Sequence, residues 1–198
     1  MLKFLYSFFL VIIYIPYSIV IFFRVFLNKE DKIKFKEKII VNKVNRPNGF
    51  LFWFHVASLG EFNSILPIIS HYSKKDTKFN FLITSVTLSS YNEFKKKFNA
   101  NSRVFHQFLP YDLNFLTNDF LNKWKPNLAT FVDSEIWPNF IFNIKKKNIP
   151  LVLLNARITK KTFRRWMFFR KFSKSLFELF NICIASSRET EKNLIELN

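Results

Sequence analysis

The chain has 198 residues, enough for one domain or one domain with an appendage, and 49% of them are hydrophobic, so a sizeable core is attainable. Thirty-one Lys and Arg against fourteen Asp and Glu give a net charge of +17, which points to polyanionic partners: nucleic acid, an anionic membrane or phosphorylated lipid. Cys183 is the single cysteine, which excludes an internal disulfide and a cysteine-built metal cluster and fits a reducing compartment.

Leu5 to Phe23 is a run of 19 residues without a charge. As a helix it would extend about 28 Å, close to the thickness of a bilayer core, and Pro16 is tolerable in such a helix. A signal peptide would have a shorter apolar region and a small-residue cleavage site, whereas "RVFLNKEDK" follows here. The apolar residues surround this helix without forming a stripe, which favours a spanning anchor over 1–27 and disfavours a helix lying in the interface. Lys3 alone precedes the span, while Arg24, Lys29, Lys32, Lys34, Lys36 and Lys38 follow it, so the positive-inside rule places the remainder in the cytoplasm.

Residues 28–48 read as a charged connector. Beyond it, apolar runs of strand length occur at 50–56, 79–85, 104–109, 128–133, 150–155 and 182–186. Most are continuously apolar, as strands buried on both faces of a parallel sheet are. Helical stretches lie between them near 60–74, 88–98, 113–124, 137–147, 160–180 and 187–197. The alternation predicts an α/β domain over 49–198, with a Rossmann-like, doubly wound, mostly parallel sheet of about six strands.

Ligands of such sheets sit at the carboxyl ends of the strands. Those ends read "HVASLGEF", "TSVTLSS", "LPYDL", "VDSEIWPN", "LNARITKKT" and "ASSRET", rich in hydroxyls, carboxylates and arginine. In the first, Gly60 would let the backbone turn sharply near a ligand, with Ser58 just before it. Glu61 follows in the first turn of a helix, where the spacing alone favours a simple cap over a general base. Glu135 stands beside Asp133 and Ser134 in the fourth, and two neighbouring carboxylates imply shifted pKa values or a sugar contact, unless they only cap the helix that Pro138 opens.

Arg157, at a strand end, is suited to gripping a carboxylate or phosphate. Eight basic residues and no acid occupy Arg157 to Lys174. On a helical wheel Phe168, Phe169, Phe172, Leu176, Leu179 and Phe180 share one face, with Arg164, Arg170, Lys171 and Lys174 opposite. That basic face is either solvated or directed at phosphate or a membrane. His55, His71 and His106 show no metal-ligand spacing, and His55 reads as a packed strand residue. No dinucleotide-binding glycine pattern and no nucleic-acid-binding motif occurs.

Taken in order, "FHVASLGEF", "TSVTLSS", "FLPYDL", "DSEIWPN", "IPLVLLNARIT" and "IASSRET" resemble the amino-terminal half of the 3-deoxy-D-manno-octulosonic acid (Kdo) transferases, from about residue 35 to the end. The resemblance implies a two-domain GT-B glycosyltransferase of the inner membrane. Its amino-terminal domain takes the lipid A precursor, and its carboxyl-terminal domain takes CMP-Kdo. It implies inverting transfer without metal or other cofactor, Glu61 as general base, Glu135 as an active-site contact, and acceptor binding by Ser58, Gly60 and Arg157, with Arg164 and Lys171 on the basic helix suiting a bisphosphorylated lipid. Asp133 and Ser134 depart conservatively from the family's Glu-Thr pair. The sequence stops at Asn198, short of a donor domain, so the chain alone is expected to be inactive. The alternative is a non-catalytic, membrane-anchored module that binds anionic lipid or a protein partner.

Overall fold

The computed structural model describes residues 2–41, 44–98 and 101–197. Six parallel strands form one sheet in the order β3-β2-β1-β4-β5-β6: β1 (Phe50–Val56), β2 (Phe79–Ser85), β3 (Val104–Phe108), β4 (Leu128–Val132), β5 (Leu151–Ala156) and β6 (Ile182–Ala185). This order reverses between β1 and β4, and that is where a doubly wound sheet opens its ligand crevice. The register runs from Phe50 opposite Phe79 to Val56 opposite Ser85, and His55 lies opposite Phe131 of β4.

The central strands are buried on both sides, which is why they read as unbroken apolar runs. Helices α2 (Leu59–Lys75) and α3 (Leu88–Phe98) cover one face, packing Phe62, Ile65 and Ile69 on Phe52, Phe54 and Phe81. Helices α4 (Asn114–Trp124) and α5 (Pro138–Lys146) cover the other, around Trp53, Phe120, Phe131 and Phe140. The chain closes with α6 (Lys160–Phe168), α7 (Arg170–Phe177) and α8 (Arg188–Leu197).

The expected single helix over 160–180 is two helices. The backbone breaks at Phe169, with φ −112° and ψ 43°. Phe172, Leu176, Leu179 and Phe180 pack inward as the wheel predicts. Phe168 is 83% exposed, because the break turns it away from that face.

Helix α1 (Leu2–Phe26) is long and apolar enough to cross a membrane. It has a stripe that the sequence reading did not find. Positions 3, 6, 7, 10, 14, 17, 18, 21 and 25 face the domain, at helical spacing. The stripe is built of tyrosines, serines and a few aliphatics, and a count of charges misses it. The Tyr6 hydroxyl donates to Asp112 Oδ2 at 2.8 Å, and the Ser7 hydroxyl donates to Asn139 Oδ1 at 2.9 Å. Tyr14 donates to the Ile39 carbonyl at 2.6 Å, and the Tyr17 and Tyr111 rings stack 4.4 Å apart.

The described part of the charged connector is fastened to the domain. A 3-10 turn, Lys34–Lys38, lies against the end of β3, where Glu37 accepts from the Phe108 N–H at 2.8 Å. Lys38 donates to buried Glu30 at 2.7 Å and to the Val86 carbonyl at 2.8 Å.

Candidate functional site

Glu61 is the third residue of α2, and Ser58 is its N-cap. The Ser58 hydroxyl accepts from the Glu61 N–H at 3.2 Å and donates to Glu61 Oε1 at 2.9 Å; Glu61 Oε2 accepts from the Ala57 N–H at 2.7 Å. This is a variant of the capping box, with Glu61 reaching back to the N–H one residue before the cap, so the capping role considered from sequence is present. It also orients the carboxylate at the carboxyl edge of the sheet. Burial pushes the Glu61 carboxyl up, the Ala57 and Ser58 hydrogen bonds only partly oppose it, and the charges of Glu135 and Asp133 add to the rise.

Gly60 does not make the expected turn. It is a regular helical residue without positive φ, and a Cβ there would meet only Ser58 Oγ, at 3.9 Å. What it contributes is open space above the first turn of α2. The glycine that does need its freedom is Gly49, at φ +93°, where a Cβ would collide with the Lys78 carbonyl oxygen.

Glu135 follows β4. Its Oε2 receives the Trp137 indole N–H at 2.8 Å and stands 3.2 Å from His55 Nε2. The Glu135 carboxylate can only accept, which fixes the proton on His55 Nε2. The Trp53 indole N–H donates to Thr84 Oγ1 at 2.9 Å, and Thr84 Oγ1 stands 3.0 Å from His55 Nδ1 and 3.4 Å from the Phe54 carbonyl. Burial alone would raise the Glu135 carboxyl, but the His55 and Trp137 contacts outweigh it and leave the carboxyl below its ordinary value. Among the described residues Glu135 Oε1 accepts no hydrogen bond from protein, so it is the oxygen open to a ligand.

The two carboxylates at neighbouring strand ends are thus pushed in opposite directions. Glu61 is the better proton acceptor, and Glu135 is held as an anion. Such a separation divides a proton-transfer role from an electrostatic one.

Asp133 adopts φ 61° and Asn155 adopts φ 53°. Asp and Asn tolerate this left-handed region better than other side chains. The two turns touch: the Asp133 N–H donates to the Leu154 carbonyl at 2.9 Å, and the Arg157 N–H donates to the Asp133 carbonyl at 3.4 Å. Asn155 lies within a register shift of β5 between Leu153 and Ala156, a bulge that re-aims the following residue. Arg157 therefore leaves the sheet exposed, and among the described residues its guanidinium has no protein partner. It lines a groove of 410 Å³ with Thr159, Lys160, Ser186 and Ser187, between the ends of β5 and β6. Strained backbone of this kind clusters at working sites.

Arg164 and Lys171 are exposed on α6 and α7 and make no contact with the carboxylate pair. Asp112 and Asn139 were not singled out from sequence. Asp112 accepts from the Asn139 N–H at 3.0 Å and the Phe140 N–H at 2.9 Å, capping α5 across the fold. "LPYD" and "WPN" thus interlock, with Tyr6 completing the cluster. Nor was His55 assigned its place; its signal was its position one residue from the polar end of a buried strand. Among the described residues no three His, Cys, Asp or Glu side chains converge to hold a metal ion.

Residues 28–198 match the family described as 3-deoxy-D-manno-octulosonic-acid transferase (kdotransferase). The chain belongs to this family. A Kdo transferase of Rickettsia bellii is 36% identical over 177 residues, covering 89% of this chain and 42% of the relative. A Kdo transferase of Haemophilus influenzae is 31% identical over 120 residues, covering 61% of this chain and 27% of the relative. This Kdo transferase family member therefore spans less than half the length of the relatives it resembles. A solved Listeria monocytogenes chain, assigned as a UDP-N-acetylglucosamine 2-epimerase, overlays 75% of it and 42% of that chain, with TM-score 0.52 and 9% identity, a likeness of fold alone.

Proposed function

We propose that this domain is the acceptor-binding side of an inverting transferase that moves Kdo from CMP-Kdo to the lipid A precursor. The observation that carries the reading is the opposed pair, Glu61 pushed up and Glu135 held down, at adjacent carboxyl ends of one sheet. Glu61 takes the proton of the acceptor sugar hydroxyl as its oxygen bonds to the anomeric carbon and CMP departs. Glu135 Oε1 accepts a hydrogen bond from a sugar hydroxyl, while His55 and Trp137 keep the carboxylate charged and fixed. Ser58 orients Glu61, and the space over Gly60 lets the acceptor approach the start of α2. Arg157 meets an acidic group of donor or acceptor. Arg164 and Lys171 meet lipid phosphate, which the charge of +17 also favours. The donor is held by a partner domain that the longer relatives have room for, and no metal takes part. The site works at the cytoplasmic face of the inner membrane, where α1 attaches it.

The test is a fusion of this chain to the carboxyl-terminal part of the Rickettsia bellii relative, assayed with CMP-Kdo and lipid A precursor. Glu61→Gln is expected to lower kcat by about 10² to 10⁴, the usual contribution of a general base. Turnover within threefold of the parent would remove Glu61 from the mechanism. The exposed apolar face of α1 and the basic α6–α7 favour a second reading, a lipid-binding module without catalysis. That reading predicts vesicle binding indifferent to Glu61→Gln, and no transfer by the fusion.

A further inference from the structure

We propose that α1 lies in the plane of an anionic bilayer while docked on the domain, and that its outward face joins the Phe168–Phe169 turn in one membrane-facing surface. The argument begins with what holds α1. Its contacts run its whole length: Lys3 lies 4.1 Å over the Phe142 ring, Tyr6 reaches Asp112, Tyr14 reaches Ile39, and Arg24 pairs with Glu30 at 2.8 Å. Tyr6 and Arg24 are about 27 Å apart along the helix. Turning α1 across a bilayer with these contacts intact would carry Asp112, Asn139 and the charged end of α5 into hydrocarbon, at prohibitive cost. Turning it with the contacts broken would uncover Asp112, which is 0% exposed.

The opposite face of α1 shows what it is made for. Phe4, Phe8, Ile12, Ile15 and Ile19 are each between 54% and 74% exposed. The apolar surface continues beyond the helix. Phe115 of α4, 59% exposed, meets Tyr14 edge-on at 6.3 Å. Phe142, beneath Lys3, lies 6.2 Å from Phe172 of α7. The Phe168–Phe169 turn, 83% and 47% exposed, opens α7 just before Phe172, and so reaches solvent on the side of the molecule where Phe142 meets the amino end of α1. Arg164, Arg165, Arg170 and Lys171 border this turn, and Lys29 and Lys32 border the other end of α1, all exposed. An apolar strip with a cationic border matches the interfacial zone of a bilayer rich in anionic lipid. An apolar protein partner would leave the border unanswered.

The test needs no transferase activity, so its failure is separable from failure of the catalytic reading. In a Cys183→Ser background, single cysteines at Phe4, Phe8, Ile12, Ile15 and Ile19 carry spin labels, with the full chain on vesicles of phosphatidylethanolamine and phosphatidylglycerol. Label depth is expected to be near constant, about 5–10 Å below the headgroups. Depth that peaks near Ile12 and returns toward both surfaces would show a spanning helix and overturn the proposal. Phe168→Asp with Phe169→Asp is expected to weaken partitioning about fivefold or more while α1 depth persists. Unchanged partitioning would remove that turn from the surface. Equal binding to vesicles of phosphatidylcholine alone would remove the anionic requirement.

Discussion

Glu61 completes the Ser58 cap, and burial also pushes its carboxyl up, which suits the base role proposed for it. The two separate by substitution. Ser58→Ala removes the cap and should cost about 1 kcal/mol in a chemical melt, while the Ala57 N–H still holds one oxygen of the proposed base Glu61. Gly60→Ala should add about 0.5–1 kcal/mol, because a helical glycine with room for a Cβ gains from alanine. If acceptor sugar does pass over Gly60, the same variant in the fusion raises KM. Gly49→Ala goes the other way and should cost more than about 2 kcal/mol, through positive φ and a backbone clash. Ser58 and Glu61 were legible because the cap and its partner lie three residues apart. His55 was not, since its partner Glu135 lies eighty residues away. His55→Phe should return the Glu135 carboxyl toward or above its ordinary value, read by carboxyl 13C titration. Glu135 now stabilises the fold above its unfolded pKa and loses that contribution as pH falls through its depressed folded value; the variant should lose this acid-side dependence.

At the level of elements, the strands were legible nearly to the residue, because burial on both faces leaves an uninterrupted apolar run. The inward stripe of α1 was not, because tyrosine counts as apolar in a hydropathy reading while its hydroxyl finds a buried carboxylate. The break at Phe169 was also hidden, with no glycine or proline to mark it. Asp112, in contact with Tyr6 and the start of α5, carries the pH consequence. Burial pushes its carboxyl to about 7, against the hydrogen bonds from Asn139, Tyr6 and Phe140. The folded state then holds a proton that the unfolded state releases near pH 4. Stability contributed this way is complete below pH 4 and is lost as pH rises toward about 7. Urea midpoints measured in detergent should fall across that window. The Asp112→Asn variant, though less stable throughout, should show no such slope.

For the whole molecule, the carboxyl edge of the sheet assembles carboxylates, hydroxyls and the Arg157 guanidinium, without a protein partner among the described residues, from β1, β4, β5 and β6, and the order of the motifs along the chain made that edge readable in advance. What the sequence could not convey is the side on which the remaining positive charge sits. Arg164 and Lys171 lie away from the carboxylates, on helices that share a face of the sheet with α1. In the fusion, Arg164→Glu with Lys171→Glu is therefore expected to weaken vesicle binding at low salt and to raise KM for the detergent-dispersed acceptor, whose phosphate these side chains are proposed to meet, with the effect shrinking as salt rises.

The Asp112 carboxylate has a role beyond fastening a helix. One of its oxygens is shared between Tyr6 and the Asn139 N–H; the other takes the Phe140 N–H. Two residues before Asn139 stands Trp137, whose indole fixes Glu135. On the proposed function and membrane placement, a tug on α1 would pass through this single buried acid to the neighbourhood of the acceptor sugar. In that arrangement the bilayer would act as a splint for the proposed site. Taking α1 away, even with the rest of the domain folded, should leave Glu135 looser, seen as faster exchange of the Trp137 indole proton.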